Sequence, residues 1–481
     1  MLKQAIKLRS FCTVCQKGEF LMNCRMVFAL LMTITLAASS PLRNENVVSG
    51  GAAENGALSL TKNEMVWGLM QVWAETKFNF VYFDQVPDLE WDKEVQLVIP
   101  NVLAAKDNIE YYKILQELVA RLDDGHTFIL PPELINGAYD NPPLEFQMVE
   151  GKVILTRVGD TKKIREAGLR PGLELVAVGE DVPVWDNFRD NVARYFQGGT
   201  EQWRKAFGLF LLLNGPKDST VKLQFRDPAG NLNKVELTRN SKNDDGSDFV
   251  HWILGHLIPL EHRTLGDGFV YFRLPSFGFD RIVEEFKEAF KRLDPAQIRG
   301  MILDIRINSG GSSDKAYSII SKLIDRQIET SRWKTRKYLP AYRSWGQPEE
   351  WFEMQPGKIS PTDGPRYIGP LVVLIGSHTV SSAEDFVIPL DYANRALLIG
   401  SKTAGTTGNP LTVTLPGGGV FRVCSKRDSY PDGKEFVGFG IDPDITVEPT
   451  QQDIYEGRDP ALAKAIEVIS NWNRYEHLLK K

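Results

Sequence analysis

Cysteine and histidine are scarce in this chain, with four and six copies among 481 residues. Three of the cysteines, Cys12, Cys15 and Cys24, fall in the first forty residues, so a mature chain lacking that stretch keeps only Cys424 and can form no intrachain disulfide. Cys12 and Cys15 have the spacing of half a zinc or redox site, but no second pair and no histidine cluster completes it, which argues against a metal centre. No basic stripe interleaved with aromatics is present and the formal net charge is -5, so nucleic acid is not an expected partner. The apolar run Val27 to Ala38 is too short for a comfortable membrane span.

That run has a second reading. Lys3, Lys7, Arg9, Lys17 and Arg25 precede it and Ala37, Ala38, Ser39 and Ser40 follow, the order of a secretory signal. Residues 1–40 are therefore expected to be a targeting segment, with Met22 and Met26 both available as starts, and the mature protein to be exported, periplasmic or extracellular, with no stable membrane insertion. Residues 41–59, rich in Asn, Gly, Ala and Ser and without periodicity, read as a flexible leader.

The remaining length can bury two or three domains. Met65, Leu69, Val72 and Trp73 mark one helix face and Ile114, Leu118 and Leu122 another, so a helical domain is expected over 60–132. It closes on Leu122-Asp123-Asp124-Gly125-His126-Thr127, where a glycine stops the helix and a histidine follows on the loop. After Pro142-Pro143, Phe146, Met148, Val153, Leu155 and Val158 fit half-buried strands, and Val221–Phe225 and Val235–Leu237 continue them. Residues 143–240 resemble a PDZ domain, a module that captures an extended peptide at a sheet edge. No Gly-Leu-Gly-Phe loop precedes Phe146 and an insertion around Asn187 to Phe210 interrupts the pattern, so a spacer role stays open.

From 248 to 455 the pattern is α/β. Phe269–Phe272, Met301–Ile305 and Leu371–Ile375 read as strands, and Ile282, Phe286, Ala289, Phe290 and Leu293 as a helix face. The strand Met301–Ile305 runs into Asn308-Ser309-Gly310-Gly311, where amides can approach a ligand. Leu371–Ile375 leads to Thr379-Val380-Ser381-Ser382-Ala383-Glu384, with Phe386, Leu390 and Ala393 at helical spacing beyond. Ser381 thus falls at a strand-to-helix turn, where free helical amides gather. Ser381 and Glu384 also make a capping box, a purely structural reading. A serine nucleophile needs a base, and His126 is the best-placed histidine; His251, His256 and His262 read as packing, and His378 is poorly placed to reach Ser381. Trp333 to Tyr367 reads as a cleft wall or a plain surface insertion, and 456–481 as a C-terminal helix.

Taken together these segments resemble the serine peptidase family of C-terminal-processing (tail-specific) proteases and the tricorn core. The matching residues are Asp304-Ile305-Arg306-Ile307-Asn308-Ser309-Gly310-Gly311, Ser381 to Glu384, Gly400 to Gly405, Gly438 to Asp444, and the segment ending at His126. The resemblance implies a Clp/crotonase-like α/β core with an inserted PDZ-like β-rich domain and an N-terminal helical domain. It also implies hydrolysis of peptides or unfolded proteins by acyl transfer without metal or organic cofactor, Ser381 attacking and His126 serving as base. The amide of Ser382 and one from Gly310 or Gly311 would form the oxyanion hole.

Two departures bear on mechanism. Where the processing-protease branch has its lysine base this chain has Thr406, with Lys402 four residues earlier, which disfavours a Ser-Lys dyad. Where the tricorn branch has the glutamate that orients the histidine this chain has Val437, leaving Glu435, Asp123 or Asp124 as substitutes. A peptide-binding relative that does not cleave, and a hydrolase of non-peptide esters or amides, are the rival functions. With His126 as base, activity is expected to fall as pH drops through about 6.5.

Overall fold

The computed structural model describes residues 59–294 and 296–479. The expected targeting segment, with Cys12, Cys15 and Cys24, and all but the last residue of the leader lie outside them.

Three helices open the described chain: α1 (Lys62–Asn79), α2 (Trp91–Ala104) and α3 (Asn108–Ala120). Thr61 and Glu64 close a reciprocal capping box on α1, and the Asp107 carboxylate caps α3, so each start is fixed by side-chain acceptors. The loop after α3 carries His126 and leads into β1 (Phe128–Leu130).

A β-rich unit follows: β2 (Leu144–Val149), β3 (Lys152–Val158), β4 (Glu174–Val178), helix α4 (Glu201–Leu211), β5 (Thr220–Arg226) and β6 (Leu232–Thr238). Its strands pair antiparallel in sequence order and bury a core of their own, including Phe146, Leu155, Leu175, Leu223 and Phe225.

The central sheet has six strands: β7 (Glu261–Thr264), β8 (Phe269–Arg273), β9 (Gly300–Asp304), β10 (Leu371–Ile375), β11 (Leu397–Gly400) and β12 (Ile445–Thr446), in that order. All pairings but that of β7 are parallel, with Met301 opposite Leu371 and Val372 opposite Leu397. Both faces are covered. Met301, Leu303, Val373 and Leu398 face one core, which they share with the N-terminal helices through Met65, Leu69, Val72 and Leu115. Ile302, Val372, Leu374 and Ile399 face the other, closed by α5 (Pro460–Ser470) through Ala465, Val468 and Ile469. Burial on two sides is why these strands read as unbroken apolar runs. The helix expected over 456–481 begins at Pro460 and is integral to the sheet packing. Arg306 ties it down, pairing with Asp304 at 2.6 Å and with Asp459, the cap of α5, at 2.7 Å.

Finally, β1 pairs antiparallel with β13 (Val420–Val423), which pairs with β14 (Leu411–Thr414). This small sheet brings the loop holding His126 onto the α/β core. Trp333 to Tyr367 contains a hairpin, Arg332–Lys337 with Glu350–Met354, whose first strand also pairs with Arg427–Ser429.

Candidate active site

Ser381 lies between β10 and helix α6 (Ser382–Tyr392), in a conformation that L residues rarely adopt, φ 60° and ψ −127°. Its amide donates to Thr406 O at 3.0 Å and its carbonyl accepts from Glu384 N at 2.7 Å. The side chain makes no cap bond, so the capping box expected from Ser381 and Glu384 does not form. Glu384 turns instead beneath the loop 403–407. Its carboxylate accepts from Thr403 Oγ1 at 2.6 Å, Gly405 N at 2.7 Å, Thr406 N at 3.0 Å and Thr407 Oγ1 at 2.9 Å. Burial lifts this carboxyl to about 7, against the opposing pull of those four donors.

His126 is buried, and its Nδ1 lies 2.6 Å from Thr406 Oγ1. In the tautomer that donates from Nδ1 to the hydroxyl, Nε2 keeps its lone pair and can accept a proton. Burial, then the positive charges of Arg422 and Lys426, push the imidazole down to about 3, so it is neutral at ordinary pH. None of the carboxylates expected behind the ring is there. Glu435 is held by Arg427 at 2.8 Å, where an isolated bridge between Ser429 and Glu435 brings the two side chains together. Asp123 accepts from Gly199 N at 3.0 Å, and Asp124 shapes the loop by accepting from His126 N at 3.1 Å and Thr127 Oγ1 at 2.6 Å. Thr406, which the sequence reading considered only as a replacement for a lysine base, was missed as the ring's partner. Lys402 is paired with Asp442 at 2.9 Å.

Of the expected amide donors, Gly310 is already committed: its N–H donates to Asn308 Oδ1 at 2.9 Å. Asn308 also donates to Leu274 O at 2.9 Å and accepts from Val380 N at 3.2 Å, which fixes the turn beside the serine. This leaves Gly311 and Ser382, the latter at the first position of α6, where no intrahelical partner exists for its amide. Gly311 has φ 134°, and a Cβ there would lie 2.1 Å from Gly278 N.

Ser381 and His126, from opposite ends of the chain, line one cavity of about 430 Å³. Phe128, Leu130, Trp203, Phe207, Ile253 and Pro410 give it an apolar wall; Gly310, Gly311 and Ser382 lie on it beside Ser381. No residue from 333 to 367 lines it, which favours the surface-insertion reading of that stretch. His256 also lines it, whereas His378 packs edge-on against Trp252, ring centres 4.2 Å apart, and His262 stacks on Phe272. Among the described residues no group of three or more His, Cys, Asp or Glu could hold a metal ion. A neutral imidazole, an uncapped serine and two candidate amides around one space are the parts that acyl transfer requires.

Comparison with known proteins agrees with that chemistry. Residues 268–447 match the family described as Peptidase family S41. A carboxy-terminal-processing protease of Bartonella bacilliformis is 26% identical over 249 residues, covering 50% of this chain and 53% of that protein. The chloroplastic C-terminal processing peptidase of Tetradesmus obliquus is 23% identical over 350 residues, covering 70% of this chain and 68% of that protein. The structure of mature CPAF complexed with lactacystin superposes with a TM-score of 0.66 at 17% identity, covering 87% of this chain and 99% of that one, a likeness of fold.

Proposed function

We propose, from the premise that residues 268–447 form a peptidase family S41 domain, that this chain is an exported serine endopeptidase cleaving peptides or unfolded proteins. Ser381 Oγ attacks the scissile carbonyl while His126 Nε2 takes its proton. The same imidazole then protonates the leaving amine, and water resolves the acyl-enzyme by the reverse path. The amides of Ser382 and Gly311 stabilise the oxyanion, a role in which one donor is worth on the order of 3 kcal/mol. Thr406, in place of a carboxylate, fixes the tautomer and ring plane of His126. The observation that carries this reading is the meeting of His126 and Ser381 on one cavity, with Thr406 bonded to the imidazole of one and the amide of the other.

On this reading the core is Clp/crotonase-like, 60–132 a helical domain and 143–240 a PDZ-like domain that offers a sheet edge to substrate, supported by its separate core and antiparallel strands. Export rests on the charged and apolar order of residues 1–40.

The test is a fluorophosphonate probe followed by digestion of a denatured protein. The wild type should label and cleave, and Ser381→Ala should do neither. Full labelling of Ser381→Ala would place the nucleophile elsewhere. No labelling of the wild type would favour a peptide-binding protein that does not cut, and labelling without cleavage of any polypeptide a hydrolase of other esters or amides.

A further inference from the structure

The register of a three-stranded sheet aims one arginine. Within β13, Phe421 and Val423 enter the main core, so alternation turns Arg422 to the other face. There it stands directly opposite Phe128 of β1, with the guanidinium carbon 5.4 Å from the ring centre, on the wall of the cavity that holds Ser381 and His126.

Among the described residues Arg422 has no hydrogen-bond acceptor and no ion pair. Its Nε is enclosed without a partner. Asp124, the carboxyl whose charge it feels, accepts from the His126 amide and the Thr127 hydroxyl instead. Asp385, another acid on the cavity, accepts from Ser313 Oγ at 2.6 Å, and the neighbouring cation Lys426 is paired with Asp428 at 2.9 Å. Burial lowers the guanidinium to about 10, which still leaves it cationic at neutral pH. A poorly solvated cation without a bonded counter-charge is unfavourable, and the forked donors of arginine match a carboxylate in two parallel bonds.

We propose that Arg422 is a carboxylate-reading subsite of this cleft, binding either the free C-terminus of the polypeptide or an Asp or Glu side chain close to the scissile bond. This rests on reading the cavity as the peptide cleft. Phe128 holds the guanidinium from one side, and the carboxylate of the bound chain supplies the missing acceptor. The subsite differs from the PDZ-like unit, whose sheet lies on a separate core.

Binding to the full-length Ser381→Ala protein separates the two carboxylate sources without catalysis. A short fluorescent peptide is compared as its C-terminal acid and amide, and with internal Glu or Gln, by anisotropy. A charge-assisted bond of this kind predicts roughly 10- to 100-fold tighter binding of the carboxylate form. Adding Arg422→Gln should erase that difference, and Arg422→Lys should keep part of it, with unfolding midpoints measured for each. Loss of the acid-over-amide preference identifies the chain terminus; loss of the Glu-over-Gln preference identifies the side chain. Equal binding of all forms by the parent protein, or discrimination that survives Arg422→Gln, overturns the proposal. Should Arg422→Gln unfold, competition in the wild type by product acid against amide and by the Glu against the Gln peptide decides the matter: equal competition within both pairs overturns it. A wild type that discriminates carboxylates but takes no fluorophosphonate keeps the subsite and loses the peptidase reading, and the reverse pattern does the opposite.

Discussion

The imidazole Nδ1 of His126 and the hydroxyl of Thr406 stand 2.6 Å apart, joining residues separated by 280 positions in the chain. Thr406→Val removes the hydroxyl at nearly constant volume and leaves a buried ring N–H with no acceptor, a loss of about 1–3 kcal/mol. Applied to the proton-transfer step of the proposed mechanism, this is a fall of about 5- to 150-fold in kcat on a fluorogenic peptide. KM should change little, and Thr406→Ser should recover most of the rate. A fall in Thr406→Ser with Thr406→Val at the wild-type rate would mean that the methyl group, not the hydroxyl, matters.

The acid limb of the pH profile should not sit where an ordinary imidazole would put it. His126 is pushed down to about 3 by burial and by Arg422 and Lys426, with no carboxylate behind the ring to raise it. With His126 as the proposed base, a depressed value keeps the ring neutral as pH falls, so kcat/KM should hold through about pH 6.5, the ordinary imidazole range. A limb near 7 that disappears in Glu384→Gln would belong to Glu384, which burial raises to about 7. A limb near 6.5 that persists in Glu384→Gln would mean a solvated imidazole and would defeat the desolvation argument.

What could be read in the chain beforehand follows from how local the cause is. Leu371–Ile375 and Met301–Ile305 were legible because strands buried on both faces are continuously apolar, and the observed strands are Leu371–Ile375 and Gly300–Asp304. The loop position of His126 followed from the glycine before it. By contrast, the Ser381–Glu384 box was a sound local pattern defeated by tertiary structure: four donors from residues 403–407 offer Glu384 more than one cap amide can. The partner of His126 was invisible for the same reason, since it depends on a loop contact no window of sequence spans. The donor role expected of Gly310 failed on a contact only two residues long, with Asn308, whose side-chain direction sequence does not specify.

Gly310 has a different task from donating its amide. Its φ is +85°, and a Cβ there would lie 2.8 Å from Ser381 Cβ and 2.9 Å from Val380 O. Both atoms belong to the strained turn that presents the hydroxyl, so neither can withdraw as a flexible side chain would. Gly310→Ala should therefore reduce fluorophosphonate labelling by at least about tenfold, the equivalent of roughly 1.4 kcal/mol at the transition state. Wild-type labelling rates in this variant would show that the turn tolerates displacement and that its geometry is not critical.

The loop that carries Thr406 is held from above as well as below. Glu384 supports it from α6, and the start of α4 closes over it: Thr200 Oγ1 donates to Ala404 O at 2.6 Å, and Gln202 Nε2 donates to Thr403 O and Phe439 O, each at 3.0 Å. The β-rich unit that contributes α4 is thereby coupled to the imidazole through the 403–407 loop. Gln202→Ala removes two bonds at the surface and should lower kcat several-fold with KM for a short peptide unchanged, since each neutral bond is worth about 1 kcal/mol. Gln202→Glu should be worse than Ala, because a carboxylate would then face two carbonyl oxygens that need a donor. The order wild type, Ala, Glu in kcat, with KM constant, is the signature of positioning through the loop. A rise in KM at constant kcat would instead make this helix, whose Trp203 lines the cavity, part of the substrate-binding wall.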